Sequence, residues 1–157
     1  MSLVHFASSE PGSPPGIGGI VEFMSPKFRR QFHPHLGKDP STWRQSRKVK
    51  KVACMPLSLI FSQMKVTHIN YFSLDVEGAE LAILKSIDFK LVRFDVISVE
   101  TEKAYRPLHY EANVTELLTT HGYLKIWCKG RNSWFRHRDF ETSSRYAIEA
   151  NPLRECA

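Results

Sequence analysis

The segment over residues 69–87 constrains the fold of this chain most strongly. A nearly continuous apolar and aromatic run over 69–74, typical of a buried parallel strand, ends on the acid Asp75. A short turn containing Gly78 follows, and the apolar spacing after it predicts a helix over 78–87. A strand, an acidic turn and a helix in this order are typical of the carboxyl edge of an open α/β sheet, where such folds bind their ligands.

Further strands and helices are predicted to alternate around this segment. Strands are predicted over 3–7, 49–54, 94–100, 123–128 and 133–137, and helices from residue 56 and over 109–121. From residue 56 onward, helices and strands alternate, which predicts a mostly parallel sheet with a C-terminal antiparallel hairpin. We assign residues 1–141 to one α/β domain built around this sheet. Residues 142–157 are polar and are predicted to form a tail.

The net charge of +6 is concentrated in one segment. Residues 27–51 contain nine Lys or Arg residues and one acid, Asp39, so they carry a charge of +8 and leave −2 for the rest of the chain. Prolines and a glycine interrupt this stretch, which predicts an irregular basic loop over 25–51 with a short helix near 41–47. The loop is predicted to be solvated or to contact an anionic partner. Nucleic acid is not favoured, because no DNA- or RNA-binding motif is present.

The chain has no apolar run near the roughly 20 residues that a transmembrane helix requires, and its start lacks the pattern of a signal peptide. Its three cysteines, Cys54, Cys128 and Cys156, are odd in number and far apart, which argues against a disulfide framework and a zinc site. His33 and His35 have no third ligand nearby, so no metal site is predicted. We expect a soluble, cytoplasmic chain, although a longer parent protein could be anchored in a membrane.

Acidic side chains end two of the predicted strands. Asp75, Glu77 and Glu80 lie within six positions at the first of these ends, and Glu100 closes the second. If the strands are adjacent and parallel, Asp75 and Glu100 line one crevice, where a carboxylate could accept a proton from a hydroxyl or hold a ligand's amine or hydroxyls. On spacing alone, stabilisation of a helix start is the simpler account of Glu77 and Glu80. The presence of a second strand that ends on an acid favours a ligand-binding or catalytic site over simple stabilisation of a helix.

The residues around this turn resemble the FkbM-type methyltransferase domain. The sequence Phe-Ser-Leu-Asp-Val-Glu-Gly-Ala-Glu over 72–80 carries the resemblance. Several other segments match the family as well: 54–57, 84–89, 94–100, 121–123 and 130–135. Residues 16–21, Gly-Ile-Gly-Gly-Ile-Val, are similar to the animal Star-like branch of that family. The resemblance extends over roughly residues 3–140.

The resemblance implies a Rossmann-like class I methyltransferase fold and methyl transfer from S-adenosylmethionine, usually to oxygen, with a small-molecule or glycan hydroxyl as acceptor. Asp75 corresponds to the acid that ends the family's fourth strand, beside the methyl end of the cofactor and the substrate. Glu77 and Glu80 belong to the same motif, and Glu100 would lie around it. Ser8 follows the match to the third strand, near the place where such folds hold adenine.

The sequence departs from the family at its N-terminal end. The glycine turn of the family's first strand and the acid that ends its second strand, which hold the cofactor, have no counterpart. The family's first strand lies beside its fourth, so the strand over 69–74 would lack a neighbour, and an open apolar edge favours aggregation. We therefore expect a truncated or divergent domain. The alternative is a non-catalytic, Star-like interaction protein, which the resemblance links to membrane trafficking.

Overall fold

The computed structural model describes residues 2–9, 16–43 and 46–140, and the predicted tail over 142–157 lies outside them. These residues form two β-sheets and five helices. The elements in chain order are β1 Ser2–Ala7, β2 Gly19–Ile20, α1 Pro26–Phe32, α2 Pro40–Trp43, β3 Val49–Cys54, α3 Leu57–Met64, β4 His68–Leu74, α4 Glu80–Lys85, β5 Arg93–Glu100, α5 Tyr110–Thr120, β6 Tyr123–Lys129 and β7 Asn132–His137.

Strands β4, β5, β7 and β6, in this spatial order, form a mixed sheet that we call the C-terminal sheet. β4 and β5 are parallel, whereas β7 is antiparallel to both β5 and β6. The turn at Gly130 joins β6 to β7 directly, and so short a connection joins antiparallel neighbours. The predicted hairpin is therefore present. The predicted mostly parallel sheet is not found, because this sheet contains one parallel pair.

Strands β2, β1 and β3 form a separate sheet, the N-terminal sheet, in which both pairs are antiparallel. β1 and β3 pair over their full length, from Ser2 opposite Cys54 to Ala7 opposite Val49. Because Ala7, the last residue of β1, pairs with Val49, the first residue of β3, the connection between these strands begins and ends at the same end of the sheet. The sequence predicted strands at both positions but not a second, antiparallel sheet.

β4 is the edge strand of the C-terminal sheet and pairs with β5 alone among the described residues. The expectation of a buried strand over 69–74 is wrong, because Tyr71 is 50% exposed and Leu74 is the one residue of β4 that is buried. An edge strand lacks a neighbour on one side, as the sequence led us to expect. The carboxyl ends of β4 and β5 lie side by side, with Leu74 paired with Val99.

The main hydrophobic core lies between the C-terminal sheet and helices α4 and α5. It includes residues of the sheet and of both helices: Leu84, Phe94, Ile97, Val114, Leu118 and Phe135. Val114 and Leu118, which helical spacing predicts to face inward, are fully buried. Helix α4 is shorter than the helix predicted over 78–87, because Glu77 and Gly78 have positive φ angles that an α-helix does not accept.

The basic segment over 25–51 is more ordered than the irregular loop that its prolines predict. Helix α1 starts after Ser25, whose Oγ accepts a hydrogen bond from the backbone N–H of Phe28 at 3.1 Å. Phe28 and Trp43 are buried in a second, smaller hydrophobic cluster with Met24. The short helix predicted near 41–47 corresponds to α2. Aromatic side chains of this segment therefore support its own folding.

Tyr105, in the loop between β5 and α5, joins this second cluster to the C-terminal sheet. Its ring packs edge-on against Phe28, with centroids 5.5 Å apart. Lys27 Nζ lies 5.3 Å from the centre of the Tyr105 ring, and the guanidinium carbon of Arg29 lies 5.2 Å from the centre of the Trp43 ring. Two cations of the basic segment thus interact with aromatic rings within the molecule.

No helix among the described residues is both long enough and apolar enough to cross a membrane. Cys54 has a free thiol, whereas Cys128 is disulfide-bonded. One bonded cysteine does not make a disulfide framework, so the expectation that the chain lacks such a framework stays a prediction.

The acidic turn packs closely against the chain after β2, which leads to the first prediction. A Cβ added to Gly78, whose φ is +112°, would lie 2.3 Å from the carbonyl oxygen of Phe23. We predict that Gly78→Ala lowers the free energy of unfolding by roughly 2–4 kcal/mol, measured by urea denaturation. Gly130→Ala is the control, because Gly130 has a φ of +61° but open space around it, and should cost only about 1 kcal/mol. Equal losses would show that contact with Phe23 is unimportant.

Candidate functional site

The turn between β4 and α4 is held by the first residue of the helix that follows it. Glu77 and Gly78 have φ angles of +56° and +112°. The backbone N–H groups of Val76 and Gly78 both donate to Glu80 Oε1, at 3.0 and 3.2 Å. The side chain of Glu80 therefore reaches back over the turn and fixes the positions of Asp75 and Glu77.

Glu80 is fully buried and its second oxygen is also bonded. The hydroxyl of Tyr110 donates to Glu80 Oε2 at 2.7 Å and accepts from the backbone N–H of Leu81 at 3.1 Å. Burial, and then the negative charge of Glu80, raise the pKa of Tyr110, so its hydroxyl keeps its proton and donates it. These contacts make Glu80 a positioning residue of the turn.

Arg106 links the turn after β4 to the end of β5. Its side chain is only 2% exposed, and its Nη2 lies 2.9 Å from Glu80 Oε1 and also bonds to Glu100 Oε2. The guanidinium group lies over the ring of Tyr110, 5.7 Å from its centre. One buried cation thus compensates two buried carboxylates and links the start of α4 to the end of β5.

Asp75, Glu77 and Glu100 converge at the carboxyl ends of the parallel pair. One carboxylate oxygen from each of the three lies within 4.8 Å of the other two. Asp75 is exposed, Glu77 is half-buried and Glu100 is buried, so the three acids lead from solvent into the protein. Arg131, which is 65% exposed, places its Nη1 3.6 Å from Glu100 Oε1. We call Asp75, Glu77, Glu80 and Glu100 the acidic cluster.

Burial, and then the crowding of these carboxylates, shifts the pKa values of Glu100 and Glu77. Burial raises the pKa of Glu100 to about 7, with Arg106 opposing the rise and Asp75 and Glu77 adding to it. Burial, and then the charge of Asp75, raise the pKa of Glu77 as well. Close carboxylates share protons in this way because they cannot all be ionised cheaply at once. The acidic cluster therefore contains a group that exchanges a proton near neutral pH.

The acidic cluster can accept a proton and can attract a cation. Its four carboxylates face the two guanidinium groups of Arg106 and Arg131, so negative charge is in excess. A sulfonium or ammonium group of a ligand would be drawn to that charge. The spacing of the three converging oxygens is also compatible with a hard divalent cation. Carboxylates commonly lie this close without a metal, so we assign none.

Ser8, the predicted cofactor-binding residue, lies at the end of β1 and is exposed. Its backbone N–H donates to the carbonyl oxygen of Lys48 at 3.4 Å, and no hydrogen bond joins it to the acidic cluster in the part of the chain that the structure describes. The neighbouring strand β2 approaches the turn closely, since a Cβ at Gly19 would lie 3.1 Å from Glu77 Cβ. The structure thus brings the four predicted acids together, and Ser8 makes no hydrogen bond to them among the described residues.

A family model described as the Methyltransferase FkbM domain matches residues 17–125, which is more than half of the chain. The chain belongs to the FkbM methyltransferase domain family. The family is generally dependent on S-adenosylmethionine, and membership indicates a methyltransferase-like function. Neither a curated protein nor a solved structure gives a match.

The FkbM domain match contains the whole acidic cluster together with Arg106 and Tyr110, and Ser8 lies outside it. The resemblance to the FkbM family seen in the sequence is thereby confirmed. Assignment to the Star-like branch and a truncated domain stay predictions.

Two central residues of this candidate site, Arg106 and Tyr110, were not among the residues predicted from the sequence. Arg106 lies in a loop six positions after Glu100, without a motif around it, and Tyr110 has the pattern of an ordinary helix start. One physical signal was available, because two buried carboxylates require a buried cation. That requirement points to the arginine nearest in sequence to the end of β5.

We predict that Arg106→Leu strongly destabilises the domain. The change leaves Glu80 and Glu100 buried without their cation, so the free energy of unfolding at about pH 7.5 should fall by roughly 3–5 kcal/mol. The loss should be smaller at about pH 5, where Glu100 is protonated. Arg131→Leu is the matched control and should cost at most about 1 kcal/mol, because Arg131 is exposed. Similar losses in both variants would contradict the assigned role of Arg106.

We also predict that one glutamate carboxyl titrates near pH 7, as followed by NMR of the labelled side chains. Glu100→Gln should remove this titration, and Asp75→Asn should lower the pKa of Glu100 because a negative neighbour is lost. Glu116→Gln, on the exposed side of α5, should leave the titration of Glu100 unchanged. If no glutamate titrates above about pH 6, the assignment is wrong.

The same shift predicts the direction of a stability change. The pKa of Glu100 is raised from 4.5 to about 7, so its contribution to stability is complete below pH 4.5 and is lost as the pH rises to about 7. Glu100→Gln should flatten the stability profile across this interval.

Proposed function

We propose that this chain transfers a methyl group from S-adenosylmethionine to a hydroxyl oxygen of a small molecule or glycan. The observation that carries the proposal is the convergence of Asp75, Glu77 and Glu100 at the carboxyl ends of two parallel strands within an FkbM domain. Ligands of α/β sheets bind at this edge. The pKa of Glu100, about 7, gives the acidic cluster a proton acceptor suited to neutral pH.

The charge of the acidic cluster fits the cationic end of S-adenosylmethionine. Asp75 and Glu77 are its accessible carboxylates and would hold the sulfonium group, while Ser8 is proposed for the adenine end. When bound, S-adenosylmethionine supplies an electrophilic methyl group. The protein's contribution at this end is a fixed negative charge that binds and orients the cation.

Asp75 is proposed to orient the acceptor hydroxyl, because it is the most exposed carboxylate of the acidic cluster. A hydroxyl that gives up its proton is a stronger nucleophile, and Asp75 is placed to receive that proton. Glu100, one of whose oxygens lies within 4.8 Å of an oxygen of Asp75, would share the added proton and limit the change in charge. Arg106, Glu80 and Tyr110 act through these two acids by holding the turn in place.

The structure favours one alternative for a specific reason. Two of the glycines in residues 16–19 are closely packed: a Cβ at Gly18 would lie 3.0 Å from the carbonyl oxygen of Ala7, and one at Gly19 would lie 3.1 Å from Glu77 Cβ, whereas Gly16 has open space around it. The close packing at Gly18 and Gly19 leaves little room for a cofactor between them and the acidic turn, which favours the non-catalytic, Star-like role. In that role Asp75→Asn would preserve the biological activity, and charge reversal within the basic segment over 29–51 would abolish it. The opposite pattern would reject the alternative.

We predict that the purified chain binds S-adenosylmethionine in calorimetric titrations. Asp75→Asn should weaken that binding by about tenfold, whereas binding of S-adenosylhomocysteine, which lacks the sulfonium charge, should change far less. Glu116→Gln should leave both affinities unaltered. An absence of heat with S-adenosylmethionine at high micromolar concentration would exclude catalysis by this chain alone. Equal losses for both ligands would reject the role given to the charge of Asp75.

A further inference from the structure

The C-terminal sheet has an open edge at β4. In the described part of the chain β4 pairs with β5 on one side, so about half of its backbone N–H and C=O groups, those that point away from β5, have no strand partner. Such an edge is a template for another strand, and proteins usually cover or charge it. The residues of β4, His-Ile-Asn-Tyr-Phe-Ser-Leu, include no lysine, proline or acid that would discourage pairing.

A groove of about 860 Å³ lies at the carboxyl end of this edge. Phe72, Ser73 and Leu74, three consecutive residues of β4, line it. Successive side chains of a strand point to opposite faces of the sheet. A groove that contacts three residues in a row therefore meets β4 from its edge, where the backbone groups are, and not from one of its faces.

The opposite wall of the groove is a face of the N-terminal sheet. Ser2 and Val4 of β1 line the groove, as does Cys54, the partner of Ser2 on β3. These residues share one face, because they lie two apart on a strand or directly opposite each other. Leu57 of α3 and Ile83 of α4 complete the apolar lining.

The lining of the groove contains no Asp, Glu, Lys, Arg or His residue. Its ionisable group is the free thiol of Cys54. Two large apolar side chains of the lining, Phe23 and Met55, are 42% and 37% exposed. An uncharged, largely apolar occupant matches this surface, whereas a charged one would lose its hydration without compensation.

We propose that this groove binds an extended, uncharged polypeptide strand of a partner protein, which adds to β4 by main-chain hydrogen bonding. A strand supplies donors and acceptors at the spacing that the open edge requires, and alternate apolar side chains fill the groove. A small apolar molecule would leave those backbone groups unpaired. A second copy of this chain is a poorer occupant, because its own β4 lies beside its own N-terminal sheet and is hindered from entering.

The test uses the full chain and a capped, fluorescent peptide of alternating Val and Thr with seven residues, the length of β4. We expect binding by fluorescence anisotropy and slower labelling of Cys54 by a small maleimide when the peptide is present. In an extended peptide, alternate backbone N–H groups point to opposite edges of the strand. Two further peptides are therefore used: the first carries N-methyl groups on the amides of one edge, and the second carries them on the amides of the other edge. Addition to β4 predicts that one of these two peptides loses affinity by about tenfold or more while the other keeps it. Equal affinities of the two methylated peptides for the chain would overturn the proposal.

A pair of variants locates the site. Val4→Arg places a charge in the groove and should weaken peptide binding by about tenfold. Leu3→Arg adds the same charge at a neighbouring residue that is 67% exposed and does not line the groove, and it should have no effect. Unchanged peptide binding in Val4→Arg would overturn the proposal. Sedimentation would also overturn it if the unmodified chain is a dimer and Val4→Arg is a monomer, because a second copy would then occupy the groove. If Val4→Arg fails to fold, the methylated peptides decide the question with the unmodified chain.

Discussion

One buried guanidinium group holds the acidic turn of this domain against the end of β5. Arg106 bonds to Glu80 and Glu100, which belong to different elements and would otherwise repel each other. Removing three such charges from water costs several kcal/mol for each, and only their mutual contacts and added hydrogen bonds offset that cost. The excess negative charge is reduced by the raised pKa of Glu100, which retains a proton up to about neutral pH. Arg106 therefore holds the acidic turn in shape, whereas burial raises the pKa of Glu100 against the influence of that guanidinium group.

Close backbone approach is the second constraint on this site. Gly78 allows the carbonyl group of Phe23 to lie against the turn, and Gly19 allows β2 to approach Glu77. The N-terminal sheet thus packs against the acidic turn through positions where a side chain does not fit. This packing places a face of the N-terminal sheet across the groove from the edge of β4. The same contact between the two sheets therefore shapes both the groove and the acidic turn.

Local patterns in the sequence were sufficient for much of the C-terminal half. The run before Glu100 and the helical spacing of Val114 and Leu118 each reflect burial on one element, and each predicted its element. The apolar run before Asp75 also predicted a strand, although that strand lies at an edge and only its last residue is buried. The meeting of Asp75 with Glu100 followed from adjacent parallel strands. Arg106 could not be located in this way, because its partners lie on other elements and its own neighbourhood in the sequence has no period. The antiparallel pairing of β1 with β3 was missed for the same reason, since it joins segments separated by a long connection.

The contact between Tyr105 and Phe28 gives the basic segment a mechanical connection to the acidic cluster. Tyr105 precedes Arg106 directly, so the aromatic packing that anchors α1 also restrains the backbone that carries the guanidinium group. Seventy-seven positions of sequence separate the two rings (105 minus 28), yet only one peptide bond separates Tyr105 from the residue that neutralises Glu80 and Glu100. The basic segment therefore supports the backbone next to Arg106 through its aromatic residues, and in this way contributes to the geometry of the acidic cluster.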